Sequence, residues 1–267
     1  MLEGYSILSA LAARTSTINL GLLVGGVTYR NPALVAKIAT TLDIISSGRA
    51  VLGIGAAWFE EEHKAYGFEF PSLKERFERL EDALQIFRLM FTEDVATFSG
   101  KHFSVDGAFN NPKPIRGDIP ILIGGSGERK TLRTVARYAD AWNTGGDIEK
   151  VRRKDAVLRS WCEEVGRDHT EIERTLQAGN VVIRDDAAEG RRAKQRIARQ
   201  NRGWAGPEVV TVQQLVDRLA PFRELGFHHF YWDSAAPYDE ETLERLVRDV
   251  KPGLETAGTP IPVAAPV

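Results

Sequence analysis

Ile121–Asn143 reads ILIGGSGERKTLRTVARYADAWN. The apolar run Ile121–Ile123 stops at Gly124-Gly125-Ser126-Gly127, and Leu132, Val135, Ala136 and Ala139 then recur at helical spacing. The stretch predicts a strand, a glycine turn and the N-terminus of a helix. Glycines let backbone approach an anion closely. The first free N–H groups of a helix and the positive end of its dipole favour negative charge there. A phosphate suits such a turn, and a bare turn without ligand is the competing reading. The register is not the G-x-G-x-x-G of dinucleotide sites, and no Lys-Ser/Thr follows as in a triphosphate-binding loop.

Outward from this stretch, strand-like runs alternate with helical ones, the pattern of a parallel α/β fold. Strands are expected at Ile18–Val24, Ala50–Ala56, Ile121–Gly125, Ala141–Thr144, Thr175–Ile183 and His228–Asp233. Asn31 is placed to cap a helix with Pro32 in its first turn and Leu34, Ile38, Leu42 and Ile45 on its buried face. Lys74–Phe91 predicts a second helix burying Phe77, Leu80, Leu84, Phe87 and Phe91. A third runs from an Asp147 cap to Val165 and stops at Gly166; a fourth spans Thr211–Leu225, bent at Pro221; the last is Asp239–Val250, ended by Pro252.

Two segments interrupt the alternation. Residues 92–119 read as a hairpin around Ser99-Gly100 followed by an excursion. Residues 187–210 are charged and Arg-rich, either a lid over a site or a solvated surface helix. The tail, 255–267, carries three prolines and little to bury, so disorder is expected there, with 1–254 as a single domain. A closed eight-stranded barrel needs eight βα units; only six are visible, and the chain opens directly in a helix at Leu2-Glu3-Gly4-Tyr5.

The bulk properties exclude several classes. A net charge of −2 gives no basic surface for nucleic acid or an anionic membrane. No apolar run approaches the roughly 18 residues of a membrane span, and no signal peptide opens the chain, so a cytoplasmic protein is expected. The single cysteine, Cys162, cannot form an internal disulfide and sits in a helical pattern as a packed residue. His228 and His229 are adjacent and would face opposite sides of a strand. No His, Cys, Asp or Glu spacing suggests a metal site.

Four stretches carry a resemblance: LEGYSILSALAARTSTINLG (Leu2–Gly21), VTYRNPALVAKIATTLDIISSGRAVLGIGAAWFEEEHKAYGFEFP (Val27–Pro71), the glycine-turn segment, and RELGFHHFYWDSAAPYDEETLERL near the end. The chain resembles the bacterial luciferase-like superfamily, and within it the oxidoreductases that use the deazaflavin coenzyme F-420. The resemblance covers nearly the whole chain up to about Lys251. It implies a TIM (β/α)8-type barrel with an excursion before the family's fifth strand, which residues 92–119 match. It also implies that a strand, a helix and a second strand, roughly 50–60 residues, ordinarily precede the segment that opens this chain. The six strands would then be the third to the eighth, with open edges inviting self-association.

The resemblance implies a ring at the carboxyl ends of the strands and its phosphate on Gly124, Gly125, Ser126 and Gly127. It implies a bulge with a cis peptide behind the ring, matched by the bond between Leu23 and Val24. Gly55 and Ala56 are small residues at a strand end and leave room for a planar ring. Asn143 could hydrogen-bond the ring edge or a ribityl hydroxyl, whereas Trp142 reads as core. Glu61 and His63 are candidate proton donors beside such a ring; a solvated helix cap is the plainer reading of that Glu-rich turn. Tyr29 and Arg30 face the expected mouth, Arg30 either neutralising an acidic group or making a surface salt bridge. Glu128 would repel a phosphate and is expected to point away. Sugar-phosphate dehydrogenases of the family carry Glu where Trp58 stands, which argues against that substrate.

The expected activity is hydride transfer between F-420 and a small organic substrate, in a homodimer as in many relatives. An FMN-dependent monooxygenase acting with O2 is the enzymatic alternative. A non-catalytic binding protein or an inactive truncated remnant is the alternative of another class.

Overall fold

The computed structural model describes residues 2–201, 206–234 and 236–256. They divide into two compact units. One comprises residues up to Asn143 together with Lys154–Ile172, the other Thr144–Arg153 and the residues from Glu173 onward.

In the first unit Gly25–Gly26, Leu52–Gly55, Ile121–Gly124 and Ala141–Thr144 run parallel in that order, the last strand ending one residue into the other unit. Their register sets Gly25 beside Ile54, Leu52 beside Ile121 and Ile123 beside Trp142. The strand expected at Ile18–Val24 is mostly a bulge. Leu20 bridges Ala50, pairing resumes only at Gly25, and the chain bows out between them. Gly53 makes room for the bow: a Cβ there would lie 1.7 Å from the Leu22 carbonyl oxygen. The Leu23–Val24 peptide bond within it is cis.

Asn31 caps the helix Pro32–Ser46, its side chain accepting from the Ala33 N–H at 2.9 Å. The buried face differs from the one expected. Leu42 is buried as expected, but Leu34 and Ile45 are 53% and 42% exposed, and Val35, Ala36, Ala39, Asp43 and Ser46 are buried instead. The two alanines allow close approach. Asp43 takes an interior position because its carboxylate accepts from the Ala50 and Ile115 N–H groups at 3.3 and 2.8 Å. Backbone satisfaction thus outweighs a broader apolar stripe. Helix Leu73–Thr92, capped by Ser72, buries Leu80, Leu84, Phe87 and Phe91 as their spacing requires, each contributing roughly 1.5–3 kcal/mol. The excursion opens with the antiparallel hairpin Ala96–Ser99 and Ser104–Ala108. The Asp82 carboxylate ties it down by accepting from the His102 and Phe103 N–H groups at 2.7 and 3.2 Å.

In the second unit Glu173–Gly179 and Phe227–Trp232 form a parallel pair, with Leu176 beside Phe230. With the four strands of the first unit they complete the six parallel strands expected. The single strand read at Thr175–Ile183 is in fact two. Gly179 has φ +87°, which turns the chain so that Val181–Ile183 pairs instead with Glu208–Val210. Within 187–210, Ala187–Gln200 is a helix whose Ala193 and Ile197 cover Val182; residues 202–205 lie outside the described residues. Thr211 and Gln214 form a capping box at the head of Val212–Glu224, which contains Pro221.

Pro252 does not end the last helix. An α-helical segment, Glu240–Arg245, passes through a π turn at Leu246–Val250 into a further helix, Lys251–Thr256. The π turn resets the bonding pattern, so the missing N–H of Pro252 falls in a first turn, where it is tolerated. The disorder expected for the tail falls, from residue 257, outside the described residues. Arg184 and Asp239, both buried, pair through two hydrogen bonds of 3.0 and 2.9 Å. Arg196 and Thr242 donate to the same carboxylate.

Candidate functional site

The glycine turn follows the strand Ile121–Gly124. Gly125 has φ +127°, and a Cβ on it would meet Thr131 Cγ2 at 3.2 Å; one on Gly127 would meet Thr131 Oγ1 at 2.9 Å. Side chains are excluded from both positions. The Gly125 N–H donates to the Asn143 carbonyl at 2.9 Å, and the Gly125 carbonyl accepts from Trp142 Nε1 at 2.8 Å. Gly125 is therefore fully used in holding the turn. The Gly127 carbonyl accepts from the Leu132 N–H at 3.0 Å, but the N–H groups of Ser126 and Gly127 donate to nothing among the described residues and are available to an anion. Glu128 is drawn aside: its carboxylate accepts from Lys154 Nζ at 2.7 Å and its carbonyl from Trp161 Nε1 at 2.8 Å.

Three candidate residues converge beside the turn. A Cβ on Gly55 would lie 3.2 Å from Val24 Cγ2, and one on Gly124 would lie 3.0 Å from the same atom. Val24 thus occupies space that side chains at Gly55 and Gly124 would fill. Past Gly55 the chain turns through Ala57 at φ +60°. Arg76, buried, holds this turn. Its guanidinium donates to the Ala57 and Ala56 carbonyls at 2.5 and 3.4 Å and lies 4.1 Å from the Phe70 ring centroid. Sequence reading missed Arg76, because a helix position facing a strand-end turn has no local signature. Trp58, next along, is 82% exposed.

Glu61 and His63 share the short helix Glu60–Tyr66 but not an environment. Glu61 is exposed. His63 is fully buried, its ring stacked on Tyr29 with centroids 4.3 Å apart. Nδ1 donates to the Phe59 carbonyl at 2.7 Å, which leaves Nε2 to accept from Thr28 Oγ1 at 2.6 Å. Tyr29 donates to Glu62 at 2.5 Å, and burial together with that carboxylate pushes its pKa well above the ordinary phenol value. Arg30 makes the surface salt bridge, to Glu3 at 2.6 Å.

Trp142 is core, with no exposed surface, and Asn143 is buried at the end of the same strand. Thr144, one residue further, carries a buried Oγ1 with no hydrogen-bond partner among the described residues. It is a second residue the sequence did not flag, since only burial distinguishes it. His229 pairs with Glu173 at 2.5 Å, a hydrogen bond that raises its pKa, while burial lowers that of His228. Among the described residues no group of three or more His, Cys, Asp or Glu could hold a metal ion, and no helix is long and apolar enough to cross a membrane.

Residues 2–215 match the sequence model of the luciferase-like monooxygenase family, and the chain belongs to that family. An F420-dependent glucose-6-phosphate dehydrogenase of Kineococcus radiotolerans is 33% identical over 172 residues, 62% of this chain and 50% of its own length. This chain spans 50–58% of the length of the first curated relatives it matches. Among solved structures, an F420-dependent secondary alcohol dehydrogenase in complex with an F420-acetone adduct superposes with a TM-score of 0.80 at 19% identity, covering 95% of this chain and 84% of that one. A monooxygenase from Streptomyces bottropensis gives a TM-score of 0.74 at 17% identity, over 94% of this chain and 82% of that one. These likenesses show the fold, that of the luciferase-like TIM barrels.

Proposed function

We propose that the chain is the body of an oxidoreductase that transfers a hydride between coenzyme F-420 and an organic substrate. One observation carries the reading. A turn from which side chains are excluded offers the unengaged N–H groups of Ser126 and Gly127, beside a surface where Val24, Gly55 and Gly124 meet. That cradle fits a phosphate joined to a planar ring, and the F420-dependent relatives favour the deazaflavin.

Bound there, F-420 would supply two-electron hydride chemistry at C5. The chain's own residues bind and orient. Ser126, through N–H and Oγ, and the Gly127 N–H hold the phosphate, while Gly124 and Gly125 keep the approach open. Leu23 and Val24 back the ring, Gly55 and Ala56 leave its face clear, and Asn143 fixes its edge. Glu61 is the proposed proton donor from solvent. His63 would act through the Thr28 hydroxyl, since both ring nitrogens are already engaged. The exposed indole of Trp58 argues for a substrate other than a sugar phosphate. We place the enzyme in the cytoplasm, as a homodimer.

An FMN-dependent monooxygenase is the second reading, favoured by the monooxygenase neighbour. Titration with F-420 and FMN, followed by cofactor absorbance and fluorescence, decides between them. F-420 should bind, and Gly125→Asp should weaken it at least about tenfold, since charge-assisted hydrogen bonds contribute roughly 1.5–3 kcal/mol each. Tight FMN binding without F-420 binding would transfer the proposal to oxygen chemistry. Binding of neither would refute it.

A further inference from the structure

A cavity of about 280 Å3 is lined by Lys74, Phe77, Glu78 and Glu81 of the helix Leu73–Thr92 and by Arg129, Lys130 and Arg133 at the head of the helix Thr131–Tyr138. Four cations thus face two carboxylates. Both carboxylates are engaged by further side chains. Glu78 takes Lys101 at 2.9 Å and His102 at 3.0 Å, hydrogen bonds that hold its pKa down to about 2, and Glu81 takes Arg137 at 3.6 Å.

The cations on the second helix are not spent in the same way. Arg129 makes no hydrogen bond or ion pair among the described residues. Lys130 and Arg133 rest only on ring faces, 5.6 Å from the Phe77 centroid and 5.9 Å from that of Trp161. A guanidinium or ammonium on a ring face keeps its N–H donors. Three such groups around one cavity repel one another until a negative charge enters.

We propose that this cavity binds a compact polyanion whose phosphate or carboxylate groups are held by Arg129, Lys130 and Arg133, with Phe77 as an apolar floor. Its volume is near the lower end of the roughly 300–1,000 Å3 of ligand sites, which suits a small molecule. Arg129 follows Gly127 by two residues, so two sources share this chemistry: a free polyanion, or the acidic end of a ligand seated on the glycine turn.

The test is calorimetric titration of the chain with inorganic pyrophosphate. Binding is expected, weakening as sodium chloride is raised through about 0.1 M, where the Debye length is about 10 Å. The double variant Arg129→Ala/Arg133→Ala should lose at least about tenfold, and Arg129→Lys should lose less. Both arginines are exposed, and an unchanged circular dichroism spectrum verifies the fold of the variants. Pyrophosphate binding that persists with F-420 saturating assigns the cavity to a free polyanion; mutual exclusion assigns it to the acidic end of the cofactor. No binding, or equal binding by the double variant, overturns the proposal.

Discussion

Gly53→Ala is the most informative single change. The added Cβ would lie 1.7 Å from the Leu22 carbonyl oxygen and 2.9 Å from its carbon. Ordinary carbon-to-carbonyl-oxygen contact is about 3.3 Å, so backbone must retreat by about 1.6 Å. It cannot retreat freely. On one side Leu20 exchanges hydrogen bonds with Arg49 and Val51, each 2.9 Å, and on the other Val27 donates to Gly55 at 3.0 Å. Relief costs overpacking strain of about 1–3 kcal/mol, plus about 0.5–1.5 kcal/mol for any of these bonds that breaks. We expect a loss of about 3 kcal/mol. Gly55→Ala is the control, because its Cβ would meet the Val24 methyl at 3.2 Å and the Gly124 carbonyl oxygen at an ordinary 3.7 Å; a cost of about 1 kcal/mol or less is expected there. Urea unfolding followed by far-ultraviolet circular dichroism measures both. The displaced Leu22–Val24 bulge should also weaken cofactor binding in Gly53→Ala. Equal stability losses in the two variants would refute the close-approach argument.

Arg184→Met removes two hydrogen bonds from the buried Asp239 carboxylate and leaves it Arg196 and Thr242; it should cost about 1.5–3 kcal/mol, read as a fall in the urea midpoint. Burial pushes the Asp239 pKa up, but the hydrogen bonds from Arg184 and Thr242 and the charges of Arg184 and Arg196 outweigh it, and the net shift is downward. A depressed folded-state pKa means that this stability is present above the ordinary carboxylate value, about 3.9, and is lost as pH falls through the folded value. Acid titration of the parent should therefore show a stability loss below about pH 4 that is smaller or reversed in the variant, whose Asp239 no longer has the Arg184 hydrogen bonds; superimposable curves would contradict it. His63→Gln keeps polar atoms but removes the imidazole stacked on Tyr29. It should lower kcat with little change in KM, and a change in stability alone would make His63 a purely structural residue.

What the sequence displayed was local chemistry. The glycine turn, the Asn31 cap and the aromatic spacing of the helix Leu73–Thr92 follow from neighbours in the chain, and the structure keeps them. Three things were invisible because distant partners decide them. The face of the helix Pro32–Ser46 is set by the demand of Ala50 and Ile115 for the Asp43 carboxylate. The break at Gly179 depends on Glu208–Val210 as a partner for Val181–Ile183, in a segment whose charge had suggested only surface. Arg76 became part of the site because the Ala56 and Ala57 carbonyls needed a donor twenty and nineteen residues away. A residue's class and spacing announce what it can do; which backbone it must satisfy is known only after folding.

The bonds from Trp142 Nε1 and Asn143 to the two polar groups of Gly125 bear on how a ligand arrives. With both groups fastened to the neighbouring strand, Gly125 is held where the turn leaves Ile121–Gly124 and moves with that strand. Its seat is formed before anything occupies it, so little conformational entropy is surrendered there on docking. Recognition at this end would behave as lock and key, and any induced closure must come from segments other than the turn.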